Sequence, residues 1–268
     1  MNFIDKLLAA NRRNKSLLCV GLDPDPELMP KVGLLEFNKA IIDNTADLVC
    51  AYKPNLAFYE ALGVDGLRVL QKTIEHIPDH VPIIGDGKRG DIGNTARAYA
   101  KALFVTFGFD AATVSPYLGF DSVEPFIGYK EKGVFILCRT SNPGAVDFQN
   151  LVDAQGIPLY EAVARKAREW NAHGNIGLVV GATYTDELKA IRRLCPEMPI
   201  LIPGIGAQGG DLAATVKYGV DAQGGNAIIA VSRQILYASK EKDFAQAARH
   251  NAQELRDSIN KLVGQIAR

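Results

Sequence analysis

Eight short runs of β-forming residues recur along this chain, at 17–22, 49–53, 81–85, 112–115, 134–138, 176–181, 200–205 and 227–231. Most are nearly continuous in hydrophobicity, the pattern of parallel strands buried on both faces. The stretches between them carry helical period and helix-forming composition, at 37–48, 65–75, 95–107, 159–172, 186–194, 212–218 and about 243–262. Eight strands separated by helical stretches in 268 residues, with no Pro/Ser-rich linker, predict an α/β chain folded as one (β/α)8 TIM barrel, a single domain over 1–268. A doubly wound open sheet is the competing topology, but no Gly-x-Gly-x-x-Gly follows the first run. Phe3, Ile4, Leu7 and Leu8 recur at helical spacing ahead of Arg12 and Arg13, so a helix over about 2–13 is expected to cover the barrel bottom.

In such a barrel the chemistry belongs at the C-terminal ends of the strands. The polar residues that break the apolar runs are Asp23, Lys53, Asp86 and Lys88, Ser115, the stretch 139–142, the turn from Pro203 to Asp211, and Ser232-Arg233. The densest is Asp86-Gly87-Lys88-Arg89-Gly90-Asp91, two carboxylates around a lysine where a buried strand runs out. Strand alternation sends Asp86 and Lys88 to one face and leaves Asp91 beyond, in a loop. Opposite charges clustered at the mouth of an apolar scaffold shift each other's proton affinity, which marks functional sites, although ion-pair networks do the same. A solvated loop with an incidental salt bridge is the plain alternative. The two glycines count against it, because glycine costs stability unless backbone must come close to something.

The turn after the seventh run, Gly204 to Gly210, is rich in glycine and opens a helix, and Arg233 follows the eighth run. Exposed backbone N–H groups, a helix N-terminus and an arginine make a phosphate site in this kind of barrel. Gln208 is placed to bridge that phosphate and the rest of the ligand. Lys plus Arg equals Asp plus Glu at 30 each, so no net field attracts nucleic acid or a membrane surface, and an anionic ligand must be held locally.

The four cysteines lie far apart, with neither zinc spacing nor a redox pair, and read as small buried hydrophobes in a reducing compartment. No stretch has the length of a signal peptide core or a membrane span, so a cytoplasmic enzyme is expected. His76, His80, His173 and His250 fall in helices or loops away from the strand ends, which argues against metal or general-base roles. The 142–158 stretch is long for a connection in a compact domain, the mark of a lid, an interface element or a mobile loop.

Taken in order, Val20-Gly21-Leu22-Asp23-Pro24, Lys53-Pro54-Asn55, the Asp-x-Lys-x-x-Asp block with Ile92 and Thr95, Ser115-Pro116-Tyr117, Thr140-Ser141-Asn142-Pro143-Gly144, the Pro203 to Asp211 turn and Ser232-Arg233 resemble the orotidine 5′-monophosphate decarboxylases, in particular their longer bacterial branch. The resemblance implies a decarboxylation of orotidine 5′-monophosphate to UMP, the last step of de novo pyrimidine synthesis, with neither metal nor cofactor. It implies that Lys88 is the proton donor, Asp86 the carboxylate pressed against the substrate carboxylate, and Lys53 and Asp91 the rest of an alternating charge array. Asp23 and Lys53 then contact ribose, Ser141 the pyrimidine edge, Gln208 and Arg233 the phosphate, with Asn142, Pro203 and Ser232 also on the substrate side. Asp91 and Thr95 match positions that reach a neighbouring subunit's site, implying a homodimer with shared sites.

Two other readings are weighed. A metal-dependent sugar-phosphate decarboxylase or synthase of the related barrel group has a similar Asp-x-Lys-x-x-Asp block, but a lysine at position 53 repels a cation where that chemistry needs an oxygen ligand. A catalytically silent barrel that binds a nucleotide phosphate gains little from clustered charges.

Overall fold

A computed structural model describes residues 1–206 and 209–266. Among them, eight strands form one parallel sheet: β1 (Leu18–Leu22), β2 (Ala51–Pro54), β3 (Ile84–Arg89), β4 (Ala111–Val114), β5 (Gly133–Arg139), β6 (Ile176–Val180), β7 (Ile200–Pro203) and β8 (Ala227–Val231). The strand order is β2-β1-β8-β7-β6-β5-β4-β3. Its two edges approach each other through isolated parallel bridges between Tyr52 and Ile83 and between Asn55 and Asp86, and the Tyr52 amide donates to the Pro82 carbonyl at 3.0 Å. The (β/α)8 barrel thus closes at the seam between β2 and β3.

The helices are α1 (Phe3–Asn14), α2 (Leu34–Thr45), α3 (Leu56–Glu60), α4 (Gly63–His76), α5 (Gly93–Lys101), α6 (Phe120–Ile127), α7 (Val146–Gln149), α8 (Leu159–Trp170), α9 (Thr185–Leu194), α10 (Leu212–Gly219), α11 (Arg233–Leu236) and α12 (Phe244–Ile266). Four of them, α3, α6, α7 and α11, lie outside the stretches where a helical period is readable. Helix α3 is started by the Asn55 side chain, which accepts from the Ala57 amide, and α7 sits inside the 142–158 connection. The period over 95–107 is split in the structure between α5 and a π turn at Ala102–Thr106.

Strand side chains pack in two directions, as continuous apolar runs require. One set meets the helices; the other fills the barrel interior with Cys19, Ala51, Ile84, Ala111, Phe135, Leu201 and Ile228, joined by Phe3 and Leu7 of α1. The Phe3 ring stands edge-on to Phe135, centroids 5.7 Å apart, and occupies the space a side chain at Gly133 would need. The interior is therefore packed at the end where the strands begin. The cavity lined by the charged strand-end residues lies at the other end.

Candidate active site

A cavity of about 240 Å3 opens at the C-terminal ends of the strands. Asp23, Lys53, Asp86, Lys88, Ser141, Pro203, Ser232 and Arg233 line it, together with Asn55, Thr113, Gly204 and Gln234. Three cationic side chains thus face two carboxylates, a balance that suits an anionic guest.

Asp86 is the hub. Its Oδ2 accepts from Lys53 Nζ at 2.7 Å, and its Oδ1 accepts from Lys88 Nζ at 2.6 Å and from Thr113 Oγ1 at 2.9 Å. Burial alone would raise the Asp86 carboxyl, but the two lysines outweigh it and hold it well below the usual carboxylate range. Burial pulls Lys53 down, and Asp86 and Asp23 together more than reverse that, so it stays above its ordinary value. Both groups are fixed in their charged forms at neutral pH. Asp23 completes the array: its Oδ1 stands 4.0 Å from Lys53 Nζ and is buried without a hydrogen-bond partner. The Tyr237 hydroxyl holds its backbone, donating to the Asp23 carbonyl at 2.6 Å and accepting from the Asp25 amide at 2.7 Å. Burial pushes the Cys19 thiol, which feels the same charges, up to about 12, so it remains neutral.

At the seventh strand, Gly204, Gly206 and Gly209 all have positive φ, at 106°, 81° and 77°. Only glycine adopts that run of left-handed turns cheaply. The Gly210 amide returns to the Gly204 carbonyl at 3.1 Å, and Asp211 caps α10 by accepting from the Ala213 and Ala214 amides. On the neighbouring strand, just past the end of β8, Ser232 leads into α11, whose first residue is Arg233. Ser232 packs on β1, where a side chain at Gly21 would collide with its hydroxyl.

The fifth strand's end is tied by Gln149. Its Oε1 accepts from the Thr140 amide at 2.9 Å and from Arg139 at 3.2 Å, and its Nε2 donates to Thr140 Oγ1 at 2.8 Å. Thr140 Oγ1 in turn donates to Asn142 Oδ1 at 2.6 Å. Residues on both sides of Ser141 are therefore held, and the Ser141 backbone lies against Gly181, where any Cβ would come within 3 Å of it. The Arg139 guanidinium beneath is fully buried over the Tyr184 ring, 3.5 Å from its centroid.

The expected residues do not all meet in one place. Asp91 and Thr95 lie outside the cavity; Asp91 Oδ1 accepts from the Ile92 amide and Thr95 is exposed on α5. Asn142 is exposed and outside it as well. Gln208 lies outside the described residues. Ser115 ends no strand here: β4 stops at Val114, and Thr113 supplies that strand's polar contribution. Thr113, Gln149 and Gln234 were not legible as site residues. Thr113 alone carried a signal, as the polar residue inside an otherwise apolar strand. The four histidines do not line the cavity, and among the described residues no cluster of His, Cys, Asp and Glu has metal-holding geometry. Nor is any described helix long and apolar enough to cross a membrane.

Known proteins share this sequence and shape. Residues 16–249 match the sequence profile of the orotidine 5'-phosphate decarboxylase / HUMPS family. An orotidine 5'-phosphate decarboxylase of Dehalococcoides mccartyi is 58% identical over 265 residues, covering 97% of this chain and 98% of that one. That of Roseiflexus castenholzii is 53% identical over 270 residues, covering 98% and 99%. Among solved structures, an OMP decarboxylase of Leishmania donovani superposes with a TM-score of 0.88 at 40% identity, over 98% of this chain and 99% of that one.

Proposed function

The chain belongs to the orotidine 5'-phosphate decarboxylase / HUMPS family, and we propose that Lys88, held with Lys53 on the Asp86 carboxylate, drives its reaction by direct protonation of the carbon that loses carbon dioxide. It is an orotidine 5'-phosphate decarboxylase: it converts orotidine 5′-monophosphate to UMP and carbon dioxide, a step of pyrimidine synthesis.

Cleavage of the carbon–carboxylate bond leaves an electron pair on a ring carbon. A fixed ammonium beside that carbon stabilises the pair and then gives it a proton, so the products are carbon dioxide and a neutral pyrimidine C–H. Lys88 has the reach for this role, since its Nζ already sits at the Asp86 carboxylate within the cavity. Asp86, kept ionised by two lysines, faces the departing carboxylate with like charge. Binding energy from the phosphate, held by the 204–210 turn and Arg233, offsets that repulsion and is spent on the barrier. Asp23 and Lys53 take the ribose hydroxyls and Ser141 the pyrimidine edge, with Asn142, Pro203, Gln208 and Ser232 around the ligand. No metal or cofactor enters this scheme.

A cytoplasmic homodimer with shared sites fits the same reading. Asp91 and Thr95 do not line the chain's own cavity, and Ile92, Tyr117, Leu118, Phe148 and Leu151, on three consecutive strand-to-helix connections at the same end of the barrel, are exposed apolar side chains. Such a patch calls for a partner, and a partner's Asp91 would complete the charge array.

The observation that carries the proposal is the double engagement of Asp86, 2.7 Å from one lysine and 2.6 Å from the other. Its test is the fall in ultraviolet absorbance as orotidine 5′-monophosphate is consumed, with and without a chelator. Turnover unchanged by the chelator and abolished by Lys88→Ala is the expected result; loss of activity on metal removal would favour the metal-dependent chemistry instead.

A further inference from the structure

Strands β3 and β4 pair at Ile84 with Ala111 and at Gly85 with Ala112, then resume only at Arg89 with Val114. Four residue steps of β3 thus run beside two of β4, and residues 86–88 arch off the ladder as a bulge. A bulge re-aims side chains, and it leaves backbone groups that need other partners. Lys88 shows the cost directly: its φ is 45°, the left-handed region that a residue with a long side chain rarely occupies.

The partner for the arch is a side chain. Thr113, 1% exposed in the middle of β4, accepts the Lys88 N–H at 3.0 Å and lies 2.9 Å from Asp86 Oδ1. A hydroxyl has a single proton to give. With the Lys88 amide pointing into its lone pair, that proton goes to the carboxylate. Asp86 Oδ1 also takes the Lys88 ammonium at 2.6 Å, so a ring closes from the Thr113 hydroxyl through the Lys88 backbone, out along its side chain to Asp86, and back.

We propose that Thr113 is a positioning residue for the decarboxylation: its hydroxyl pins the bulged backbone of Lys88 and orients Asp86 Oδ1, delivering the ammonium to the reacting carbon from a fixed direction. This rests on the decarboxylase reading above. Among the described residues, the Thr113 hydroxyl is hydrogen-bonded to Lys88 and Asp86 and not to the phosphate turn or Arg233, so its loss acts on the chemical step while ground-state binding is retained. The remaining β4 residues, Ala111, Ala112 and Val114, have no polar group that could replace it.

The test is steady-state turnover of orotidine 5′-monophosphate by the full-length wild type and by Thr113→Val, Thr113→Ala and Thr113→Ser, with UMP binding measured on each. Loss of a hydrogen bond to a charged group should lower kcat roughly 10- to 100-fold in the Val and Ala variants, with KM and UMP affinity changed less than about threefold. Thr113→Ser, which keeps the hydroxyl, should recover kcat to within about threefold of wild type. A wild-type kcat in either hydroxyl-free variant overturns the proposal, as does a Ser variant as slow as they are. An inactive wild type would instead sink the decarboxylase reading itself.

Discussion

Lys53 Nζ and Asp86 Oδ2 meet at 2.7 Å across the seam between β2 and β3, each side chain more than nine-tenths buried. Taking one member from such a pair strands a charge that has lost its water, which costs about 3–5 kcal/mol. Asp86→Ala is therefore expected to destabilise the protein by that amount, measured by urea unfolding, because Lys53 keeps only Asp23 at 4.0 Å.

Lys88 makes the opposite case. Its side chain is 47% exposed, so its ion pair with Asp86 contributes within about 1 kcal/mol to stability. Lys88→Ala should unfold near the wild-type urea concentration while losing turnover of orotidine 5′-monophosphate altogether. A variant that is stable, binds UMP and does not turn over assigns this lysine to the chemistry; a variant with residual wild-type kcat removes it from the mechanism.

The depressed Asp86 carboxyl sets an acid limit to stability. In the unfolded chain this group takes up a proton near pH 4, whereas the folded protein keeps it ionised to lower pH, so the unfolded state binds more protons there. Stability from this source is complete above about pH 5 and falls as pH drops below about 4, by up to roughly 1.4 kcal/mol per pH unit. Lys53 behaves in the reverse sense: raised when folded, it adds stability that is complete below its ordinary value and is lost only as pH rises beyond it. Unfolding free energies of wild type and Asp86→Asn between pH 3 and 7 check this, the variant having the shallower acid slope.

The barrel was legible because eight buried strands cannot avoid eight apolar runs, and the ring of charges was legible because polar residues break those runs at one end. Asp23, Lys53, Asp86, Lys88, Ser141, Pro203, Ser232 and Arg233 do share the cavity. What alternation could not give is the bulge in β3. A strict period of two brings Asp86 and Lys88 to one face, but in the structure they converge on each other through an arch held by Thr113, a long-range contact between strands 25 residues apart in sequence. Gln149 was hidden for a similar reason. Helix α7 is one turn long and buries none of its residues, so it leaves no periodic trace.

Shared sites predict subunit complementation. If Asp91 acts in the partner's cavity, Lys88→Ala and Asp91→Ala carry lesions that fall in the same site of a mixed dimer, leaving the other site intact. Mixing two inactive variants and allowing exchange should restore about a quarter of wild-type activity by random pairing. No recovery, with dimers seen by ultracentrifugation, would confine Asp91 to its own chain.

The last relationship that activity can test is the clasp on the fifth strand. Gln149 supplies both an acceptor and a donor to Thr140, and it is the half-buried residue through which α7 meets the barrel, since Val146 and Phe148 remain exposed. Replacing it with alanine removes three hydrogen bonds, frees the 142–158 segment and lets Ser141 drift from Gly181. The segment itself is organised by Asp153, whose Oδ1 accepts from the Gln155 and Ile157 amides, so it should detach as a unit and not unravel. Because Ser141 is assigned to the pyrimidine edge and the phosphate grip is untouched, Gln149→Ala should raise KM several-fold, a loss of about 1–2 kcal/mol in kcat/KM, with the melting temperature nearly unchanged. Faster proteolysis within 142–158 should accompany it, and saturating UMP should slow that cleavage only in the wild type. Unaltered KM together with unaltered proteolysis would mean that the strand end holds Ser141 without this clasp.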